Sequence, residues 1–183
     1  ILDEKVEARI QGNPGLIDRE KIDYVDISPQ QAISIASSLV PFLENDDANR
    51  AMMGSNMQRQ AVPCLRAEVP FVATGQEMRA ARDSGRLTIA DEDGLIVKVD
   101  AKEIVLKPKR GKEYSYPLNS FLRTNAFTAI RQRPIVEHGQ IVKRGEVLAD
   151  SSSTDQGELA LGKNLVVACL SWHGSNYEDA III

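Results

Sequence analysis

The chain has 183 residues, 43% of them apolar, and its 22 basic side chains are outnumbered by 26 acidic ones for a formal net charge of -4. That length and apolar content suffice to bury one real core and perhaps a second small one. The acidic balance excludes a uniformly basic nucleic-acid binder, because neutralising many phosphates takes clustered Lys and Arg.

In chain order, residues 1–9 suggest a short strand and Gly12-Asn13-Pro14-Gly15 a turn. Ser28-Pro29-Gln30-Gln31 has the cap, first-turn proline and back-reaching Gln of a helix start. Ala32, Ile33, Ile35, Ala36, Leu39 and Val40 continue at helical spacing as a core-facing stripe, and Pro41 ends the helix. Asp46 and Asp47 then offer caps and favourable charge for a second helix, from Ala48 to about Met57. On it Arg50, Met53 and Asn56 to Met57 share one side, with Asn49 beside them, and Gln58, Arg59 and Gln60 come next as the helix frays before Pro63. Composition alone makes this a solvated amphipathic helix with Met52, Met53 and Met57 as core. The order of residues makes it a contact surface.

After Pro63 the texture is that of strands, at residues 69–73, 86–90, 95–99, 104–107, 114–117, 135–136, 146–148 and 165–170. Asp93-Gly94 is a hairpin signal, and the basic run from Lys107 to Glu113 reads as a solvated loop. The run from Gly139 to Leu148 also resembles biotinyl and lipoyl carrier domains, but it lacks the Met-flanked Lys they modify, leaving only a small barrel or sandwich habit. The fold class is therefore α+β, mostly β, with two helices in the N-terminal third. Cys64 and Cys169 stand far apart, outside any metal-ligand spacing, and read as buried thiols. His138 and His173 are isolated and receive no ligand role. The longest apolar run, residues 165–170, is too short to cross a bilayer, and with no charged-then-apolar leader the expected compartment is the cytoplasm or a plastid stroma.

The ordered run Asp46 to Pro63 closely resembles the second-largest (β) subunit of bacterial-type multisubunit DNA-dependent RNA polymerase. Further matching segments occur in the family's order: residues 23–31, 39–44, 83–85, 132–134, 157–164 and 172–181. Ser171, Gln76 and Ala126 depart from the family's usual Pro, Met and Gln. The resemblance, with a start at Ile1 and an end within Ala180 to Ile183, suggests a piece of a longer polypeptide. Its expected parts are residues 1–27 returning from a preceding lobe, residues 28–64 as a helical element facing hybrid and nucleotide, and residues 65–183 as a β-rich hybrid-binding region leading into the active-site barrel.

The resemblance implies that Asn49 and Arg50 face the incoming nucleoside triphosphate with Met53 and Asn56 close by, and that Arg59 and Gln60 face the RNA–DNA hybrid. It places Glu178 and Asp179 near the triphosphate and a second, weakly held Mg²⁺, supporting it through water. The primary Mg²⁺ ligands in this family are an aspartate triad of the β′ subunit, and that run does not occur here, so the chain alone is not expected to polymerise. Implied partners are the β′, α, ω and σ subunits, DNA template, RNA transcript and nucleoside triphosphates, with no membrane. The wall near Arg59 borders the family's rifamycin pocket. A carrier-type barrel and a plain protein-interaction module are the alternatives from other classes.

Overall fold

The structure is a computed structural model that describes residues 4–183, so the first three residues of the expected opening strand lie outside it. Two compact units result, Ile1–Ser34 and Ile35–Ile183.

In the first unit β1 (Lys5–Ile10) pairs antiparallel with β2 (Asn13–Asp18). The reversal falls on Gln11 and Gly12, both at positive φ, 51° and 86°. Paired positive φ matches the twist of tight hairpins. The expected turn is thus displaced: Asn13, Pro14 and Gly15 belong to β2, opposite Ile10, Arg9 and Ala8. Pro14 is tolerated because a two-stranded sheet has only edges.

The second unit holds three helices, α1 (Ile35–Ser38), α2 (Ala48–Arg59) and α3 (Glu77–Asp83). The single helix expected from Ser28 to Pro41 is broken. A 3₁₀ turn covers Pro29–Ala32, and helix resumes only at Ile35 for one turn. Serines and β-branched isoleucines are weak helix formers, and the stripe finds little core, with Ile33 and Ile35 exposed. Conversely α3 lies in a stretch that sequence spacing leaves unassigned. The segment entering it is held by the buried Glu77 carboxylate, which accepts from the backbone N–H of Thr74 at 2.9 Å and of Gly75 at 2.8 Å, and from the Thr74 hydroxyl at 3.2 Å, while the N-cap, Gln76, makes no side-chain cap bond. Burial pushes the Glu77 pKa up, but these donors together with its own backbone N–H outweigh that and hold it below the ordinary value.

The strands are β3 (Thr88–Ile89), β4 (Gly94–Val99), β5 (Glu103–Pro108), β6 (Tyr114–Pro117), β7 (Leu122–Arg123), β8 (Ala129–Ile130), β9 (Arg133–Pro134), β10 (Ile141–Val142), β11 (Val147–Asp150), β12 (Thr154–Asp155) and β13 (Glu158–Leu159). They form antiparallel sheets in the orders β10-β4-β5-β6 and β3-β11-β9, with hairpins β7-β8 and β12-β13. Among the described residues no sheet closes into a barrel. The fold is α+β, mostly β. Ile96, Ile104, Leu106, Val142 and Leu148 are fully buried at the centre of the core, with Ala90, Leu118, Val136 and Ala149 around them. A satellite of Ala81, Leu87 and Val147 seats α3.

Several sequence expectations change here. Asp93-Gly94 does not close a hairpin, because β3 pairs with β11 while β4 pairs with β5 and β10. Gly94 instead stands where a Cβ would meet the Lys107 carbonyl oxygen at 2.7 Å, a close backbone approach that only glycine fits. Residues 69–73, 135–136 and 165–170 lie outside the strands. A strand needs a neighbour for its backbone groups, and the apolar run from Leu165 to Leu170 pairs with none among the described residues. Cys169 on that run is exposed and Cys64 only half-buried, so neither is the buried thiol expected. Among the described residues no helix is long and apolar enough to cross a membrane.

Candidate functional site

The helix α2 begins where the aspartates direct it. Asp47 is the N-cap, its carboxylate accepting from the Asn49 backbone N–H at 3.0 Å, which satisfies one of the unpaired donors of a first turn. The seated face is made of small residues and the half-buried Gln58. Ser55 is its one buried side chain, and the Ser55 hydroxyl donates to the Ala51 carbonyl at 2.9 Å while lying 3.2 Å from the Ser37 hydroxyl. Ala51 and Gly54 flank it, half-buried.

The opposite face is open. Asn49, Arg50, Met53, Asn56, Met57 and Arg59 are exposed, and Gln60, the C-cap, is exposed beyond them. Met52, Met53 and Met57 are 59%, 52% and 63% exposed, so the thioethers are surface and not core. The side chains also order one another. Arg50 Nη1 lies 3.9 Å from Met53 Sδ, and Arg59 Nη2 donates to the Asn56 side-chain oxygen. Each guanidinium therefore already spans one helical turn and presents its remaining donors outward, a fork suited to phosphate or sugar oxygens.

The chain leaving α2 is stapled to the β-rich part at Glu68 and Val69. Glu68 accepts from the Asn164 backbone N–H at 3.1 Å and pairs with Lys163, and the Asn164 side chain donates to the Val69 carbonyl at 2.9 Å. The Lys163 contact first, then the Asn164 N–H, holds the Glu68 carboxyl below its ordinary range. The segment at residues 157–164 is thus the anchor for the exit from the helix. A cleft of about 220 Å³ lies there, lined in part by Leu39, Gln58, Glu68, Glu77 and Asn164.

Glu178 and Asp179 occupy an exposed stretch after a turn clasped by Asn176, whose side chain accepts from the Trp172 backbone N–H at 2.8 Å and donates to the Leu170 carbonyl at 2.6 Å. Glu178 itself adopts positive φ, 56°. Among the described residues neither carboxylate is tied to α2 by a hydrogen bond or ion pair. No group of three or more His, Cys, Asp or Glu side chains among the described residues converges as a cation site. The donor set therefore does not fit a complete Mg²⁺ cage. Two adjacent carboxylates fit only the water shell of such an ion.

The fold and site together define a β-rich scaffold that displays a short helix of cations, amides and thioethers. Residues 89–183 match the family model described as RNA polymerase Rpb2, domain 6, and the chain belongs to that family. It is 55% identical over 183 residues to the DNA-directed RNA polymerase subunit beta of Spiroplasma citri, all of this chain and 14% of that protein. The protein of the same name from Chloroflexus aggregans is 53% identical over the whole chain, 15% of its own length. That of Rubrobacter xylanophilus is 54% identical over 98% of this chain and 16% of its own. The chain thus spans about a sixth or less of these relatives' length.

Proposed function

We propose that this chain works as part of the β subunit of a DNA-dependent RNA polymerase, contributing to the wall that holds the incoming nucleoside triphosphate and the RNA–DNA hybrid. One observation carries the reading: a capped helix seats itself through a serine, two small residues and the half-buried Gln58 while leaving Asn49, Arg50, Met53, Asn56, Met57 and Arg59 outward. In this reading Asn49, Arg50, Met53 and Asn56 line the nucleotide end, and Arg59 and Gln60 contact the hybrid. Arg supplies donors to phosphate, and amides hydrogen-bond ribose hydroxyls, which distinguish RNA from DNA. Contacts to backbone and sugar carry no sequence information, as an enzyme that copies any template requires.

Mg²⁺, with its primary ligands on the β′ subunit, supplies charge neutralisation at the transferring phosphoryl group. The role assigned here to Glu178 and Asp179 is to accept hydrogen bonds from water in that region. The assembled enzyme would comprise β′, α, ω and σ partners with template and transcript, in the cytoplasm at the nucleoid, or in the stroma if the source is a plastid. Within the chain, residues 28–64 are the hybrid- and nucleotide-facing element. Residues 65–183 are the β-rich support leading toward the active-site barrel, and residues 1–27 are the return from a preceding lobe.

The test is Arg59→Ala in polymerase assembled from full-length subunits. Elongation complexes should lose stability to a similar degree on all templates, more so at raised salt. A loss confined to particular sequences would overturn the hybrid-backbone role.

A further inference from the structure

Asp150, the last residue of β11, is a carboxylate only 2% exposed, and it lies outside the site described above. Its Oδ1 accepts from the Gly157 backbone N–H at 2.9 Å and from the Thr154 hydroxyl at 3.2 Å, and its Oδ2 from the Gln156 backbone N–H at 2.8 Å. Among the described residues no cation pairs with it. A charge leaves water only where hydrogen bonds replace its hydration, and all three donors here come from the single hairpin β12-β13. That hairpin is a demanding one. Ser153, Gln156 and Gly157 hold positive φ, 65°, 51° and 82°, a region that residues other than glycine rarely enter. The turn is also closed from its other side, since a Cβ on Gly157 would meet Val147 Cγ2 at 2.9 Å. Asp150 and Val147, both on β11, thus fix where the chain enters residues 157–164.

That segment holds the exit of α2. Leu159 packs against the satellite of Ala81, Leu87 and Val147, and the Ala160 backbone N–H donates to the Ser153 carbonyl at 2.8 Å. The Gly162 carbonyl accepts from the Glu68 backbone N–H at 2.9 Å, and Asn164 clasps Glu68 and Val69. The helix itself is thinly seated. Ser55 is its one buried side chain, and Gln58 of its last turn lines the same cleft as Glu68, Leu159, Leu161 and Asn164. An element with so few buried contacts takes its placement from its tethers.

We infer that Asp150 is a positioning residue for the outward face of α2. Through the β12-β13 turn and residues 157–164 it sets where the helix exit is held and, resting on the nucleotide role proposed for that face, how well Arg50 meets the triphosphate. The charge is what suits it to the task. A carboxylate accepts from all three donors, whereas an amide of the same shape turns its own NH2 toward at least one of them.

Two measurements on Asp150→Asn separate position from function. In the whole 183-residue chain carrying labelled methionine methyls, Met52, Met53 and Met57 report the placement of α2, and their NMR signals should shift. In polymerase assembled from full-length subunits, the apparent KM for nucleoside triphosphates should rise about two- to thirtyfold with kcat nearly unchanged. Combined with Arg50→Ala, the two rises should fall short of their product, because both act through one face. Asn164→Ala cuts the same linkage at its half-buried far end; it should act likewise, and it stands in should Asp150→Asn fail to fold. Parental methionine signals in these variants would overturn the positioning role. An unchanged KM, or rises that multiply in full, would overturn its bearing on the nucleotide when Arg50→Ala alone raises KM. Shifted methionine signals beside an Arg50→Ala enzyme of unaltered KM would leave the positioning role standing and sink the nucleotide reading of α2.

Discussion

Gly94→Ala is the sharpest perturbation of the β-rich scaffold. Gly94 opens β4 opposite Pro108, and an added Cβ would lie 2.7 Å from the Lys107 carbonyl oxygen and 2.8 and 3.0 Å from Cδ2 and Cγ of Leu106. Neither neighbour yields easily. The carbonyl is strand backbone, and Leu106 is 0% exposed at the centre of the core. Overpacking of this kind destabilises by about 1–3 kcal/mol, which for a chain of this size lowers Tm by about 2–12 °C. Gly54, inside α2, is the matched control, since a Cβ there meets no atom within 4 Å. Gly54→Ala relieves a helix-interior glycine and should stabilise by about 0.5–1 kcal/mol, raising Tm by about 1–4 °C. Thermal unfolding of the two variants beside the parent, followed by circular dichroism, measures both. A Gly94→Ala protein that melts with the parent, or a Gly54→Ala protein that melts below it, would refute the packing argument.

Glu77→Ala removes the carboxylate that holds the entry to α3 and leaves the Thr74 and Gly75 N–H groups unpaired, so a loss of about 1–3 kcal/mol is expected in denaturant unfolding. Because the folded carboxyl sits below its ordinary value of 4.5, that contribution is complete above this value and fades as pH falls through the lower folded one; a gap between variant and parent that widened in acid would contradict the assignment. In assembled polymerase, Glu178→Ala combined with Asp179→Ala should lower the rate and move the Mg²⁺ dependence to higher concentration, with loss only partial. An unchanged Mg²⁺ titration would make the pair a structural turn.

Local signals were legible in the sequence and long-range pairings were not. The α2 start was readable because Asp47 and Asn49 interact over two residues, and the β4, β5 and β6 runs because their β-branched and aromatic residues alternate between core and surface. The contacts from Thr74 and Gly75 to the Glu77 carboxylate are equally local and mark the start of α3. Gly94 misled because a Gly after Asp signals a turn, whereas its role here is set by Lys107 and Leu106 across the sheet. At the site, the outward set on α2 could be read from residue order and helical spacing. The stapling of residues 68–69 by Asn164 could not be read, because its partners lie about a hundred residues apart, with separations of 95 and 96.

The central claim, that the outward face of α2 holds the incoming nucleotide, is tested most directly by steady-state kinetics of Arg50→Ala in polymerase assembled from full-length subunits. An exposed guanidinium that binds the triphosphate equally in ground and transition states shows itself in KM and not in kcat. Loss of a charge-assisted contact should raise the apparent KM for nucleoside triphosphates by about ten- to a hundredfold, with kcat nearly unchanged. An unaltered KM, whether or not kcat fell, would contradict the placement of Arg50 at the nucleotide.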